Sequence, residues 1–144
     1  MERSPDPDLP ELFLRTAKRI RRNQIERLGP LGLTPGQARA LRVIARTGEP
    51  LRMSTLAEHL GIVPRSATTV VDALAAAGLV TRAPDPASRR ATLVTPTEAG
   101  LATLAKMSDA RRHAAEELFA TLSTEERDTL RGLLAALNTT APTA

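Results

Sequence analysis

The run over residues 53–80, MSTLAEHLGIVPRSATTVVDALAAAGLV, constrains this chain more than any other stretch. Two short segments of helical apolar periodicity flank a glycine, with too little chain between them for anything but a tight turn. Leu56, Leu60, Ile62, Val70 and Leu74 supply the apolar contacts, and the small Ala57 stands where the second helix passes close to the first. Gly61 ends the first helix, since a residue without a Cβ can take a positive φ and let the chain turn sharply. Inward positions then recur at Ala67, Val70, Leu74 and Ala77, on a recognition helix predicted over residues 64–77. That spacing predicts a helix pair crossing at a wide angle, a helix-turn-helix. An ordinary helical hairpin can carry an Ala and a Gly at the same offset, so this run alone leaves DNA binding and simple packing both open.

The residues that follow favour DNA. Residues 79–82 and 91–94 read as two antiparallel strands, with residues 84–90 as their connecting loop, which makes the unit a winged helix. Arg89 and Arg90 are expected at the loop tip, where they would enter a narrow, electronegative minor groove; the bland alternative is a pair of solvated arginines. On the second helix Arg65, Ser66, Thr68 and Thr69 point away from the predicted core. Arginine can donate two bonds to guanine, hydroxyls reach bases or phosphates, and a threonine methyl can meet a thymine methyl. The alternative for Thr68 and Thr69 is a hydroxyl bonded to its own backbone. Asp72 would repel phosphate, so an orienting ion pair with an arginine is expected there.

The flanks are helical. A first helix starts at Leu9 or Pro10, with Leu9, Phe13, Ala17, Ile20 and Leu28 on one side and Arg15, Lys18, Arg19, Arg21, Arg22 and Arg27 around the rest. That basic face is either solvated or in contact with phosphates or an anionic ligand. Gly29 and Pro30 stop this helix. Thr34-Pro35-Gly36-Gln37 opens the next with a cap, a proline in the first turn and a Gln three residues after the cap. A short strand over residues 51–53 precedes Ser54 or Thr55 as cap of the first helix of the pair. Thr95-Pro96-Thr97-Glu98 repeats the cap, proline and acid pattern, and the chain is then helical to about Asn138 with a break at Leu122-Ser123. Leu101, Leu104, Ala115, Leu118, Phe119 and Leu122 line the longer helix; Leu130, Leu133, Leu134 and Leu137 line the last one, which Ser123-Thr124-Glu125-Glu126 caps. A winged helix of about 65 residues leaves little surface to cover these stripes. A second copy packed around a twofold axis would cover them, as would terminal helices folded back on one another in a monomer. Residues 1–8 are expected to fray and residues 138–144 to be disordered.

Composition closes off other classes. Among 144 residues there is no cysteine, which excludes disulfides, thiolate metal sites and thiol-based redox switching. His59 and His113 lie in separate helical segments with no metal-ligand spacing, and no phosphate loop or nucleophile motif is present, so neither an enzyme, a cofactor nor a metal site is expected. Phe13 and Phe119 are the only aromatics, which weakens any case for stacking on single strands and favours duplex recognition. Lys and Arg total 20 against 16 Asp and Glu, and the bias to arginine leans towards phosphate and guanine, although GC-rich coding yields the same excess. With no cationic leader and no long apolar run, a soluble cytoplasmic protein without membrane association is expected.

In its order of elements the chain resembles the MarR family of bacterial winged-helix regulators over nearly its full length. A basic leading helix is followed by LTPGQARAL, STLAEHLG, a helix ending in AAAGLV, the wing and two closing helices. DPASRRATLVTPTEAG is similar to the family's wing signature, with Asp85, Arg89, Arg90, Thr97 and Gly100 falling on it. The resemblance implies a mainly α fold with a small β wing, in three parts: an N-terminal dimerisation helix and linker over residues 9–33, a winged helix-turn-helix lobe over 34–96 and C-terminal dimerisation helices over 97–140. It implies a homodimer on double-stranded DNA at a pseudo-palindromic operator, often a repressor, released by a small-molecule effector held between the dimerisation helices and the DNA-binding lobe. Arg65, Ser66, Thr68 and Thr69 would read the major groove and Arg89 and Arg90 the minor groove. Departures from the family pattern are Ser88 in place of a second wing aspartate, Pro96 in place of a leucine, Val63 in place of a capping serine and Thr69 in place of an arginine. They predict a looser wing, a shifted start to the helix after it and an operator of its own. A winged helix used as an architectural or protein-interaction module, with sequence-independent DNA affinity, is the competing reading.

Overall fold

A computed structural model describes residues 6–139, so the expectations for residues 1–5 and 140–144 lie outside it. Helix α1 spans Leu9–Glu26 and is capped by Asp8, whose carboxylate accepts from the Glu11 N–H at 3.0 Å. After a 3-10 turn at Gly29–Leu31, α2 spans Pro35–Arg46. Its capping box is complete: the Gln37 N–H donates to Thr34 Oγ1 at 3.2 Å and the Thr34 N–H to Gln37 Oε1 at 3.1 Å. Strand β1, Leu51–Arg52, leads directly into α3, Met53–Leu60. The expected cap at Ser54 or Thr55 is not used. Arg52 pairs with Leu93 across the sheet, which holds its backbone extended and makes it the N-cap. Gly61 takes φ +66° as expected and α4, Pro64–Ala76, follows.

The buried side of α4 differs from the periodicity reading. Ala67, Val71 and Leu74 are buried, whereas Val70 is half-buried and Ala77 is exposed. The helix packs against α2 as well as α3, which rotates its core-facing stripe by one position towards the interior. The core joins Leu41 and Ile44 of α2, Leu56 of α3, Val71 and Leu74 of α4 and Val94 of the sheet. Burying each such side chain contributes about 1.5–3 kcal/mol relative to exposure.

Strands β2, Val80–Asp85, and β3, Ser88–Pro96, form the wing in an antiparallel sheet ordered β1-β3-β2. Both strands are longer than predicted, and only Pro86 and Ala87 connect them. Pairing passes from Pro84↔Thr92 to Asp85↔Ser88, so Arg89, Arg90 and Ala91 form a bulge in β3. Pro96 remains in the sheet opposite Val80, which leaves Thr97 rather than Thr95 to cap α5, Glu98–Phe119. The start of α5 is regular rather than shifted. Thr97 Oγ1 accepts from the Gly100 N–H at 3.0 Å and donates to the Gly78 carbonyl at 2.6 Å. Gly100 itself is required there, since a Cβ would lie 2.1 Å from the Leu79 carbonyl oxygen.

Met107 and Ala114, absent from the predicted stripe, are the buried side chains of α5, while Leu118, Phe119 and Leu122 are half-covered and Leu101 is exposed. Helix α6, Thr124–Thr139, has the expected Ser123–Glu126 capping box. It includes Asn138 and Thr139, which were expected to be disordered. Neither α1 nor α6 buries a residue, and Phe13 and Leu133 are 53% and 62% exposed.

Candidate nucleic-acid interface

Arg65, Ser66, Thr68 and Thr69 all lie exposed on the first two turns of α4, so the structure brings the four predicted readers onto one helix end. The two threonines are locally engaged. Thr68 Oγ1 donates to the Pro64 carbonyl at 3.1 Å and Thr69 Oγ1 to the Arg65 carbonyl at 3.2 Å. With their protons committed to the backbone, these hydroxyls retain acceptor capacity, which suits the amino groups of adenine and cytosine in a major groove. Val63, the N-cap, offers no side-chain acceptor and is 64% exposed.

Arg89 and Arg90 are exposed, but not at the loop tip where they were expected. They belong to strand β3 on its bulge, which bends the strand and redirects side chains away from the regular alternation. Among the described residues, no carboxylate pairs with Arg65, Arg89 or Arg90. All three guanidinium groups are available to an external anion.

Two ion pairs tie the wing to neighbouring helices. Arg82 of β2 pairs with Asp72 of α4, the ion pair with an arginine that the sequence predicts for Asp72, and ties the wing to α4. Arg52 Nε donates to Asp85 Oδ2 at 2.8 Å, and the Ala87 N–H donates to Asp85 Oδ1 at 2.9 Å. The Ala87 N–H, and after it the Arg52 guanidinium, hold the Asp85 carboxyl below the usual carboxylate range, against the opposing effect of burial. The wing turn is thus anchored by Asp85 to the start of α3 despite Ser88. Sequence reasoning identified Asp85 but not its partner, because the 33 residues separating it from Arg52 carry no local signal.

A second feature lies away from this surface. A cleft of about 590 Å³ between α1, α2 and α5 is lined by Arg21, Arg39, Arg42 and Arg111, with Ile20 and Leu28 on its apolar wall. Arg42 is half-buried; its own burial, and then Arg111, Arg39 and Arg46, weaken its hold on its proton. A separate apolar groove of about 530 Å³ runs between α1 and the α5–α6 pair, lined by Leu12, Phe13, Leu118, Leu122 and Leu134. His59 and His113 are exposed, and among the described residues no cluster of His, Asp and Glu could hold a metal ion. No helix of the described residues is long and apolar enough to cross a membrane.

Residues 31–91 match the MarR family. The chain is 36% identical over 106 residues to a putative transcriptional regulatory protein for the hcr operon of Thauera aromatica, covering 74% of this chain and 63% of that one. It is 37% identical over 95 residues to an HTH-type transcriptional regulator of Mycobacterium tuberculosis, covering 66% of each. The chain therefore spans just under two thirds of the length of these relatives. Among solved structures, a mutant of MarR from E. coli superposes with a TM-score of 0.75 at 27% identity, covering 93% of this chain and 98% of that one. These relatives and this fold are those of transcriptional regulators, not of enzymes.

Proposed function

Because this chain belongs to the MarR family, we propose that it is a homodimeric, sequence-specific DNA-binding transcriptional regulator, acting as a repressor that a small ligand releases. The observation that carries this reading is the α4 surface: four exposed polar residues at one helix end, with Arg65 unpaired among the described residues. Arg65, Ser66, Thr68 and Thr69 read base edges in the major groove, and Arg89 and Arg90 reach the adjacent minor groove from the bulged strand. The apolar faces of α1, α5 and α6 support the dimer, since a second copy would cover them with the same surface around a twofold axis. In that dimer the two recognition helices must stand about 34–36 Å apart to meet successive major-groove faces. A ligand in the α1–α2–α5 cleft, between the flanking helices and the winged lobe, releases DNA by favouring a dimer of different spacing.

Selection of bound duplexes from a random library by the purified protein, at physiological salt, tests this. An enriched inverted repeat with half-sites about 10 base pairs apart is expected. Recovery of no motif, with random duplex bound in a steeply salt-dependent manner, would replace the regulator by an architectural module.

A further inference from the structure

Val63 is out of place in its surroundings. Among the Val, Leu, Ile and Met side chains of residues 34–96 it is the one left exposed; the other exposed large apolar side chains among the described residues lie on α1, α5 and α6. It is also the N-cap of α4, where it offers no side-chain acceptor. By contrast α1, α2, α5 and α6 begin on Asp8, Thr34, Thr97 and Ser123, each of which accepts a first-turn N–H. A valine cap leaves a helix donor without its partner, and an exposed valine keeps its methyl groups in water, so both features cost stability.

Local structure does not require this valine. Ile62 closes the turn: its N–H donates to the Ala57 carbonyl at 3.1 Å and its side chain packs on the core. The extended backbone at Val63, φ −69° and ψ 152°, follows from Pro64, since a proline pushes the residue before it out of the helical region. Pro64, Arg65 and Ser66 beside it are exposed, as are Thr68 and Thr69 one turn on. Val63 therefore stands at the helix end that carries the polar readers. The first residues of a recognition helix contact base edges in the major groove, and that groove presents one apolar group, the C5-methyl of thymine. A side chain of two methyl groups and no polar atom can gain from that group and from no other base edge.

We propose that Val63 is a specificity-determining residue, packing its methyl groups on the C5-methyl of one thymine in each half-site. This contact rests on the regulator reading. It adds a purely apolar discrimination to the hydrogen bonds of Arg65, Ser66, Thr68 and Thr69, and it accounts for a cap position given to a residue that cannot cap. A serine there would restore the cap and give up the thymine.

The test takes the inverted repeat that the full chain enriches from a random duplex library. Each T·A pair of the half-site is replaced in turn by U·A, in both half-sites together, which removes one methyl group per half-site and keeps every hydrogen-bonding edge. Affinities are compared for the wild type and for Val63→Ser, whose hydroxyl can cap α4 and so preserves the helix start. At one thymine the wild type is expected to lose about fifteenfold in affinity, about fourfold per half-site, as for one methyl group left in water at each. Val63→Ser should bind the thymine and uracil duplexes equally at that position, and Val63→Ile should keep the wild-type preference. A change in capping or backbone alters both duplexes alike, so the double comparison isolates the side chain and the methyl group as a pair. An enriched motif in which every thymine-to-uracil change costs the same in the wild type and in Val63→Ser, or costs nothing, would overturn the contact and leave the regulator reading standing. Recovery of no motif would remove the regulator reading and this contact with it.

Discussion

Gly100 and Asp85 show how much of the wing depends on single atoms. At Gly100 the first turn of α5 lies against the Leu79 backbone, and a methyl group there would meet the carbonyl oxygen at 2.1 Å. Backbone cannot rotate away as a side chain can. Gly100→Ala should therefore destabilise the fold by about 2 kcal/mol, within the range for overpacked sites, read as a lower urea midpoint with an unchanged slope. Asp85 makes a prediction in pH. Its folded pKa lies below the ordinary carboxylate value, so its contribution is fully present above that ordinary value and is lost as pH falls through the lowered one. Amide exchange at Ala87 should stay slow relative to the flanking turn at about pH 5, above the ordinary carboxylate value, and lose that protection only below that ordinary value. Protection already lost in that mildly acidic range would mean that the carboxylate does not hold the turn.

At the scale of elements, the helices announce themselves through their caps and the wing does not. Thr34 with Gln37, Ser123 with Glu126 and the positive φ of Gly61 are local devices in which each partner lies within a single helical turn of the other. The β3 bulge is a matter of register between strands, and no residue within it specifies that Thr92, rather than Arg89, faces Pro84. Arg89 and Arg90 therefore read as loop residues from sequence and prove to be strand residues. If they contact DNA, Arg89→Ala and Arg90→Ala should each reduce the slope of log affinity against log salt by about 0.9, the value for one phosphate neutralised on a duplex. Binding isotherms between about 50 and 200 mM salt measure this, and an unchanged slope in both variants would remove the wing from the interface.

For the molecule as a whole, the decisive question is what covers the terminal helices. α1 and α6 bury no side chain in the single chain, and Phe13 and Leu133 are among the large apolar residues left exposed. Phe13→Glu combined with Leu133→Glu should shift the protein in sedimentation equilibrium from a dimer to the 15.4 kDa monomer while leaving its helical signal largely intact. A wild type that is already monomeric would show that these faces serve another purpose. What the sequence alone determined is the set of elements and their order: apolar periodicity, caps and turn glycines act between near neighbours, so they can be read without a fold, as can the outward set Arg65, Ser66, Thr68 and Thr69. The tertiary structure decided which face of α4 is buried, where the wing arginines sit, that Arg52 answers Asp85 and that Arg39 donates to the end of α3. Each of these depends on residues brought together from distant parts of the chain, and an ion pair or strand register set by packing leaves no periodic trace in the residues that make it.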